Sequence, residues 1–317
     1  MTVRRLFAAG LVAALSLFGA PPSASAAPVP GTACRVLPAD NIWNTDISTL
    51  PVDSHSATWL KTMHAGGTLL HPDFGRAPYG FPFTVVDGAH SLRHIKFRWP
   101  DESDPGPYPF GPTTPIEGGQ HASGDRHALM VNRDTCTLFE LYAAYWNGGS
   151  PKAGSGAVFH LASNALRTDG WTSADAAGLP IFPGLVRYDE VARGAIRHAI
   201  RFTVDCTSGR HVWPARHDAA TGGSRCPPMG ARFRLKAGYD TSGYGPKARV
   251  VLRAMKHYGM ILADNGSDWY FQGTKDSRWS DSLLDQLKRI PASKFEAVNS
   301  SSCMLRRGSG QAACPGP

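Results

Sequence analysis

The sequence is poor in charge, in cysteine motifs and in long apolar runs. Only 18% of its residues are charged, below the usual quarter. With 42% hydrophobic residues it still has enough for a core, so wholesale disorder is excluded. No heptad pattern or solenoid-length repeat occurs, which removes coiled coils and repeat arrays. Beyond residues 6–20 no stretch is long and apolar enough to span a membrane. No Cys-x-x-Cys is present, which argues against a zinc-thiolate or redox motif. Gly-x-Ser-x-Gly, His-Glu-x-x-His and phosphate-loop patterns are also missing. Gly154-Ser155-Gly156 lacks the strand-to-helix context of a serine nucleophile. Serine esterases, zincins and nucleotide enzymes are therefore set aside.

What is present begins with an export signal. Arg4 and Arg5 make a positive start, residues 6–20 an apolar stretch, and Ala24-Ser25-Ala26 a small-residue cleavage site. Residues 1–26 are expected to be removed, leaving a secreted, extracellular, monomeric protein with no membrane attachment. The chain carries 33 Lys and Arg against 25 Asp and Glu, a formal charge of +8. The cations are scattered and no recognition motif accompanies them, so no nucleic-acid partner is expected. A solvated basic surface, or attraction to anionic cell-wall polymers, fits better.

Six cysteines follow the signal, an even count in an oxidising compartment, which implies disulfides. Six allow fifteen connectivities. Cys303 and Cys314 bracket a polar tail, Cys206 and Cys226 a Gly- and Arg-rich loop, which leaves Cys34 for Cys136.

Short β-branched or aromatic runs bounded by Gly and Pro predict strands at 83–86, 94–99, 127–131, 137–145, 195–204 and 231–236. Asn132-Arg133-Asp134-Thr135 reads as a hairpin turn. Helices are expected over 58–64, 246–258 and 281–290, the second with Pro246 in its first turn and Gly259 as its stop. The fold class is mainly β, an antiparallel sandwich or jelly roll with a few peripheral helices. One domain is expected over 27–298, with a disulfide-closed tail over 299–317. The loop 100–124 is long and proline-stiffened, as functional insertions often are.

Candidate chemistry concentrates there and just beyond. Asp101, Glu102, Asp104, Glu117 and Asp125 include enough carboxylates for an acid and a nucleophile or base flanking a glycosidic bond, although solvated acids or calcium ligands would look the same. At strand period, Asp125 and His127 share a face. His198, if it met them, would complete either an acid–base cluster or a two-His, one-carboxylate metal site. Trp213, Arg216 and His217 offer an aromatic platform, a forked cation and an imidazole within one short loop. Trp171, Asp175, Arg187 and Tyr188 complete the candidate substrate contacts. Asp264-Asn265-Gly266, after an apolar strand, reads as a turn.

Several segments carry a family resemblance. They are Asp40-Asn41-Ile42-Trp43-Asn44, Asp101-Glu102-Ser103-Asp104-Pro105-Gly106-Pro107-Tyr108-Pro109, Ile116-Glu117-Gly118-Gly119, Gly124-Asp125-Arg126-His127 and the run 170–180. The run 258–266 is a further match. Together they resemble a family of secreted bacterial, notably actinobacterial, proteins across residues 40–298. The resemblance implies export and an intact domain, and carries no reaction with it. His160 stands where the pattern leads one to expect aspartate, so it is left out of the candidate site.

The expected function is that of a secreted polysaccharide-degrading enzyme, foremost a glycoside hydrolase. Glu117 is its expected proton donor, with a raised pKa, and Asp125 its nucleophile or base. His127 and His198 lie in the same centre, and the partner is an extracellular or cell-wall glycan. Three alternatives stand beside it. A polysaccharide lyase would use histidine, Tyr188 and Arg216; a binding protein would use the same aromatics without cleavage; a metal-dependent enzyme would act through Asp125, His127 and His198. No cofactor is expected, a divalent metal at those three residues being the one exception weighed.

Overall fold

A computed structural model describes residues 26–315. The expected signal segment, Ala26 apart, lies outside the described residues. Among these the strands are β1 His71–Asp73, β2 Phe83–Val86, β3 Lys96–Phe97, β4 Ala128–Asn132, β5 Thr137–Leu141 and β6 Lys152–Ala153. They continue with β7 Gly156–His160, β8 Ile200–Val204, β9 Arg232–Leu235, β10 Met260–Asn265, β11 Tyr270–Gln272 and β12 Phe295–Val298. The helices are α1 Ser56–Thr62, α2 Tyr188–Arg193, α3 Pro246–His257 and α4 Asp281–Leu287. The chain is thus mainly β with few helices.

A larger sheet has the order β1-β11-β8-β10-β9-β12, a smaller one β2-β4-β5-β7, and β3 pairs with β6 alone. The ladders are mixed. β10 runs parallel to β8, β1 to β11, β2 to β4 and β3 to β6, while the remaining pairs are antiparallel. Wholly antiparallel pairing was the expectation, and parallel pairs need the long crossovers that the Gly- and Pro-rich loops supply here.

One core joins both sheets, with Leu129, Val131 and Leu138 in the same cluster as Phe202, Phe233 and Leu262. Ala128, Met130 and Leu141 point the other way, into a second cluster closed by Tyr108 and Phe110. The long loop is therefore a lid on the smaller sheet, which explains why β4 is apolar along its whole length rather than alternating.

Local signals place the helices. α3 begins with Pro246 and ends before Gly259, whose φ of +65° puts any added Cβ 2.4 Å from the Phe233 carbonyl. α4 is capped by the Ser280 hydroxyl, which accepts from the Leu283 N–H, a bond typically worth about 1 kcal/mol. The short α2, rich in charge, carries too little periodicity to be foreseen.

Cys34–Cys136, Cys206–Cys226 and Cys303–Cys314 are bonded, the pairing expected. These bonds fit an oxidising, extracellular setting, and no helix among the described residues is long and apolar enough to cross a membrane. The tail packs back on the body: Ile42 N–H donates to the Gly310 carbonyl and Ala312 N–H to that of Asp40.

Candidate active site

A hollow of about 390 Å³ opens between the sheets, edged by Trp99, Glu102 and Asp125 and lined further in by Tyr142, Asp175, His217 and Asp264. Beneath this lining lies Arg201, the second residue of β8. Arg201 is 2% exposed and grips Asp175 at two points, Nε to Oδ2 at 3.0 Å and Nη2 to Oδ1 at 2.7 Å. Asp264 Oδ2 lies 3.7 Å from the same Nη2.

A β-bulge brings Asp264 there. β10 follows β8 in register as far as Leu262 opposite Phe202, after which Asp264, not Ala263, faces Thr203. Regular pairing would have sent Asp264 to the Phe202 side, into the apolar core. The extra residue turns it to the face of Arg201 and Thr203, the re-aiming that bulges perform. The bulged Ala263 carbonyl then accepts from Ala177 N–H at 2.9 Å, which ties the loop carrying Asp175 to the same spot. That loop needs Gly178: its φ is +68° and a Cβ would meet the Trp171 carbonyl at 2.5 Å.

Two carboxyls therefore compete for one guanidinium. Burial, then the charge of Asp175, then a hydrogen bond to it push Asp264 well above the usual carboxyl range, and Arg201 only partly offsets them. Asp264 is 22% exposed on the hollow, and its raised pKa favours the protonated acid. Burial, then the charge of Asp125, likewise raise Tyr142, so its phenol keeps its proton. His217 donates Nδ1–H to the Ala176 carbonyl at 2.8 Å, leaving Nε2 to the hollow, 3.8 Å from Glu102. Trp99, 41% exposed, stacks on Tyr142 with ring centres 6.2 Å apart.

Of the residues expected to act, Asp125 is exposed at the edge of the hollow, and Asp175 and His217 line it. His127 is buried behind the wall. Its Nδ1 meets Glu117 Oε2 at 2.6 Å and its Nε2 the Ala174 carbonyl at 3.1 Å. Burial opposes its charge, but the hydrogen bond and charge of Glu117 raise its pKa. Both nitrogens donate, and the imidazolium holds the loop beside Asp175 in place. Glu117, expected as a proton donor with a raised pKa, is the reverse. Burial pushes it up, while His127 and the more distant Arg201 hold it below the usual carboxyl range.

The other expectations are corrected. Positive φ at Arg126 breaks the strand before β4, so Asp125 and His127 share no strand face. His198 is wholly buried elsewhere, with Nε2 at 3.0 Å from Glu190 Oε2 and Nδ1 at 2.7 Å from the Ala199 carbonyl. The metal set of Asp125, His127 and His198 is not assembled, since the nitrogens of both rings are already engaged, and no group of three His, Cys, Asp or Glu suited to a metal occurs among the described residues. Arg187 pairs with Glu190 at 2.6 Å, and Tyr188 is sandwiched by Lys247, Arg278 and Trp279; neither lines the hollow. Trp213 donates to the Ser309 carbonyl, and Arg216 binds the Arg167 and Arg307 carbonyls and Asp169. These two hold the tail down. Asp104 pairs with Arg167, which also lies under Trp171 beside a smaller separate hollow. Asp101 is exposed on the turn before Glu102, outside the lining.

Trp99, Tyr142 and Asp264 were missed. Asp-Asn-Gly after an apolar strand has turn chemistry, and a bulge leaves no mark in periodicity. Trp99 sits at the end of one predicted strand and Tyr142 within another, where an aromatic reads as core. Compared with known proteins, the chain matches no family model, no characterised protein and no solved structure at a significant level.

Proposed function

We propose that the protein is a secreted glycan-cleaving hydrolase whose acid is Asp264. The observation that carries this reading is two unequal carboxyls lining one hollow, Asp264 beside Asp175 and raised well above the ordinary carboxyl range and Asp125 open to solvent, with a half-exposed tryptophan at the edge. Glycosidic cleavage needs that asymmetry between two carboxyls. Asp264 donates its proton to the leaving oxygen as the C–O bond breaks. Asp125 takes the proton of an attacking water or itself attacks the anomeric carbon. Trp99 supplies the flat apolar face on which sugar C–H groups stack, while Tyr142 and His217 offer hydroxyl partners.

The lyase alternative is less favoured. It requires a free cation beside the reacting sugar to neutralise a uronate carboxylate, and no Lys or Arg lines the hollow. Arg201 beneath it is already spent on Asp175.

The test is release of reducing ends from plant, fungal and bacterial wall polysaccharides by the mature protein. Asp264→Asn is expected to lower kcat by about 100- to 10,000-fold with its thermal unfolding unchanged. Full activity in that variant would remove Asp264 from the mechanism, and retention on a polymer without any release would favour a binding protein.

A further inference from the structure

The residues leading to Trp99 carry a charge pattern that folding does not require. In the β3–β6 pair, Lys96 stands directly opposite Lys152, and both are exposed. Like charges facing each other across a strand pair are destabilising. No carboxylate compensates: among the described residues neither lysine makes an ion pair or side-chain hydrogen bond, and Arg98 pairs with no acid. Arg98 instead lies over the Trp99 ring at 4.7 Å. The backbone holds the strip in place, with Lys96 N–H donating to the Pro151 carbonyl and Arg98 N–H to that of Ala153. Lysine at a sheet edge does discourage edge pairing. That purpose is met by one lysine, and does not require the row to run through Arg98 to the tryptophan at the mouth of the hollow.

The hollow itself is acidic, lined by Glu102, Asp125, Asp175 and Asp264 with no lysine or arginine. A cationic strip thus leads into an anionic pocket. We infer that the substrate is an acidic polysaccharide in which charged and neutral sugars alternate, its uronate groups lying on Lys96, Lys152 and Arg98 and a neutral sugar occupying the hollow. A nucleic-acid strand fits less well, because it carries a phosphate at every residue and would bring one against the acids of the hollow. The inference rests on the glycan reading above and narrows its substrate class.

The test compares retention of the mature protein on three probes: a polymer of alternating uronate and neutral N-acylated sugar, the same polymer after carboxyl reduction, and single-stranded DNA. Lys96→Gln/Lys152→Gln is expected to weaken binding of the acidic polymer about five- to tenfold at low salt, and to leave the carboxyl-reduced polymer unaffected. Circular dichroism of this surface variant checks that it folds. Equal binding of the acidic and reduced polymers, an acidic-polymer affinity unchanged by the substitutions, or tighter lysine-dependent binding of DNA would each overturn the inference. Lysine-dependent retention without sugar release would sink the hydrolase reading and keep this one. Sugar release from neutral polymers alone would do the opposite.

Discussion

Two buried ion clusters, built from the same kinds of residue, have opposite stoichiometry. In one, Arg201 faces two carboxyls, Asp175 and Asp264. In the other, the carboxyl of Glu190 faces two basic side chains, Arg187 at 2.6 Å and His198 at 3.0 Å. Burial alone would raise both acids, yet Asp264 is raised while Arg187 and His198 hold Glu190 below its ordinary range. A surplus of acid raises one carboxyl, whereas a surplus of base lowers the single one. The second difference is access, since Glu190 is fully enclosed and Asp264 reaches the hollow. Partner count and an opening, not the mere presence of a buried histidine–carboxylate pair, set the proposed site apart from the scaffold.

The contrast can be broken most forcefully at Glu190. Glu190→Gln leaves Arg187 and His198 without their acid and is expected to cost about 3–5 kcal/mol in denaturant unfolding, with kcat of the folded fraction retained. Loss of activity without loss of stability would mean that this cluster serves chemistry after all.

Glu140 tests burial without any cationic contact. It is fully enclosed and accepts from the Ile181 and Phe182 N–H groups, and burial lifts it from 4.5 to about 7. Between those values the native state holds a proton that the unfolded chain has released, so stability falls as pH rises through that window. The loss amounts to about 3 kcal/mol. Denaturant midpoints measured from pH 4.5 to 8 in the protein and in Glu140→Gln should converge at the acidic end and diverge at the alkaline end; parallel curves would contradict this.

Asp175→Asn sharpens the first cluster directly. It removes the charge and hydrogen bond that raise Asp264 and frees Arg201 to hold that carboxyl instead. The alkaline limb of the pH–rate profile is expected to move to lower pH by about one to three units; an unmoved limb would show that another group sets it. The smallest effect belongs to Trp99→Ala, expected to raise KM about five- to tenfold on polymeric substrate at constant kcat, as steady-state kinetics would reveal.

Much of the framework was legible along the chain. The 83–86 strand, the hairpin at Asn132, helices α3 and α4 and the Cys206–Cys226 and Cys303–Cys314 pairs follow from local chemistry: β-branched runs, turn residues, Pro and Gly at helix ends, and short loops between cysteines, with Cys34–Cys136 left by elimination. The acidic loop, Asp125, Asp175 and His217 also stood out by type. Their neighbours did not. Glu117 and His127 were read as acid and site histidine because both lie near Asp125 in sequence, but they face each other behind the wall. His198 was joined to them on chemistry, and it belongs to Glu190. Trp213 and Arg216 looked like a sugar platform and clamp, and they fasten the tail.

The sequence by itself determined several strands, the helix ends and the two short disulfide loops, because each depends on residues close together in the chain. Tertiary structure decided which carboxyl is raised. That required one unpaired residue in β10 to turn Asp264 toward Arg201 and a loop held by His127 to deliver Asp175 to the same guanidinium. A pKa is set by distances among groups far apart in sequence, so only the folded chain could raise it.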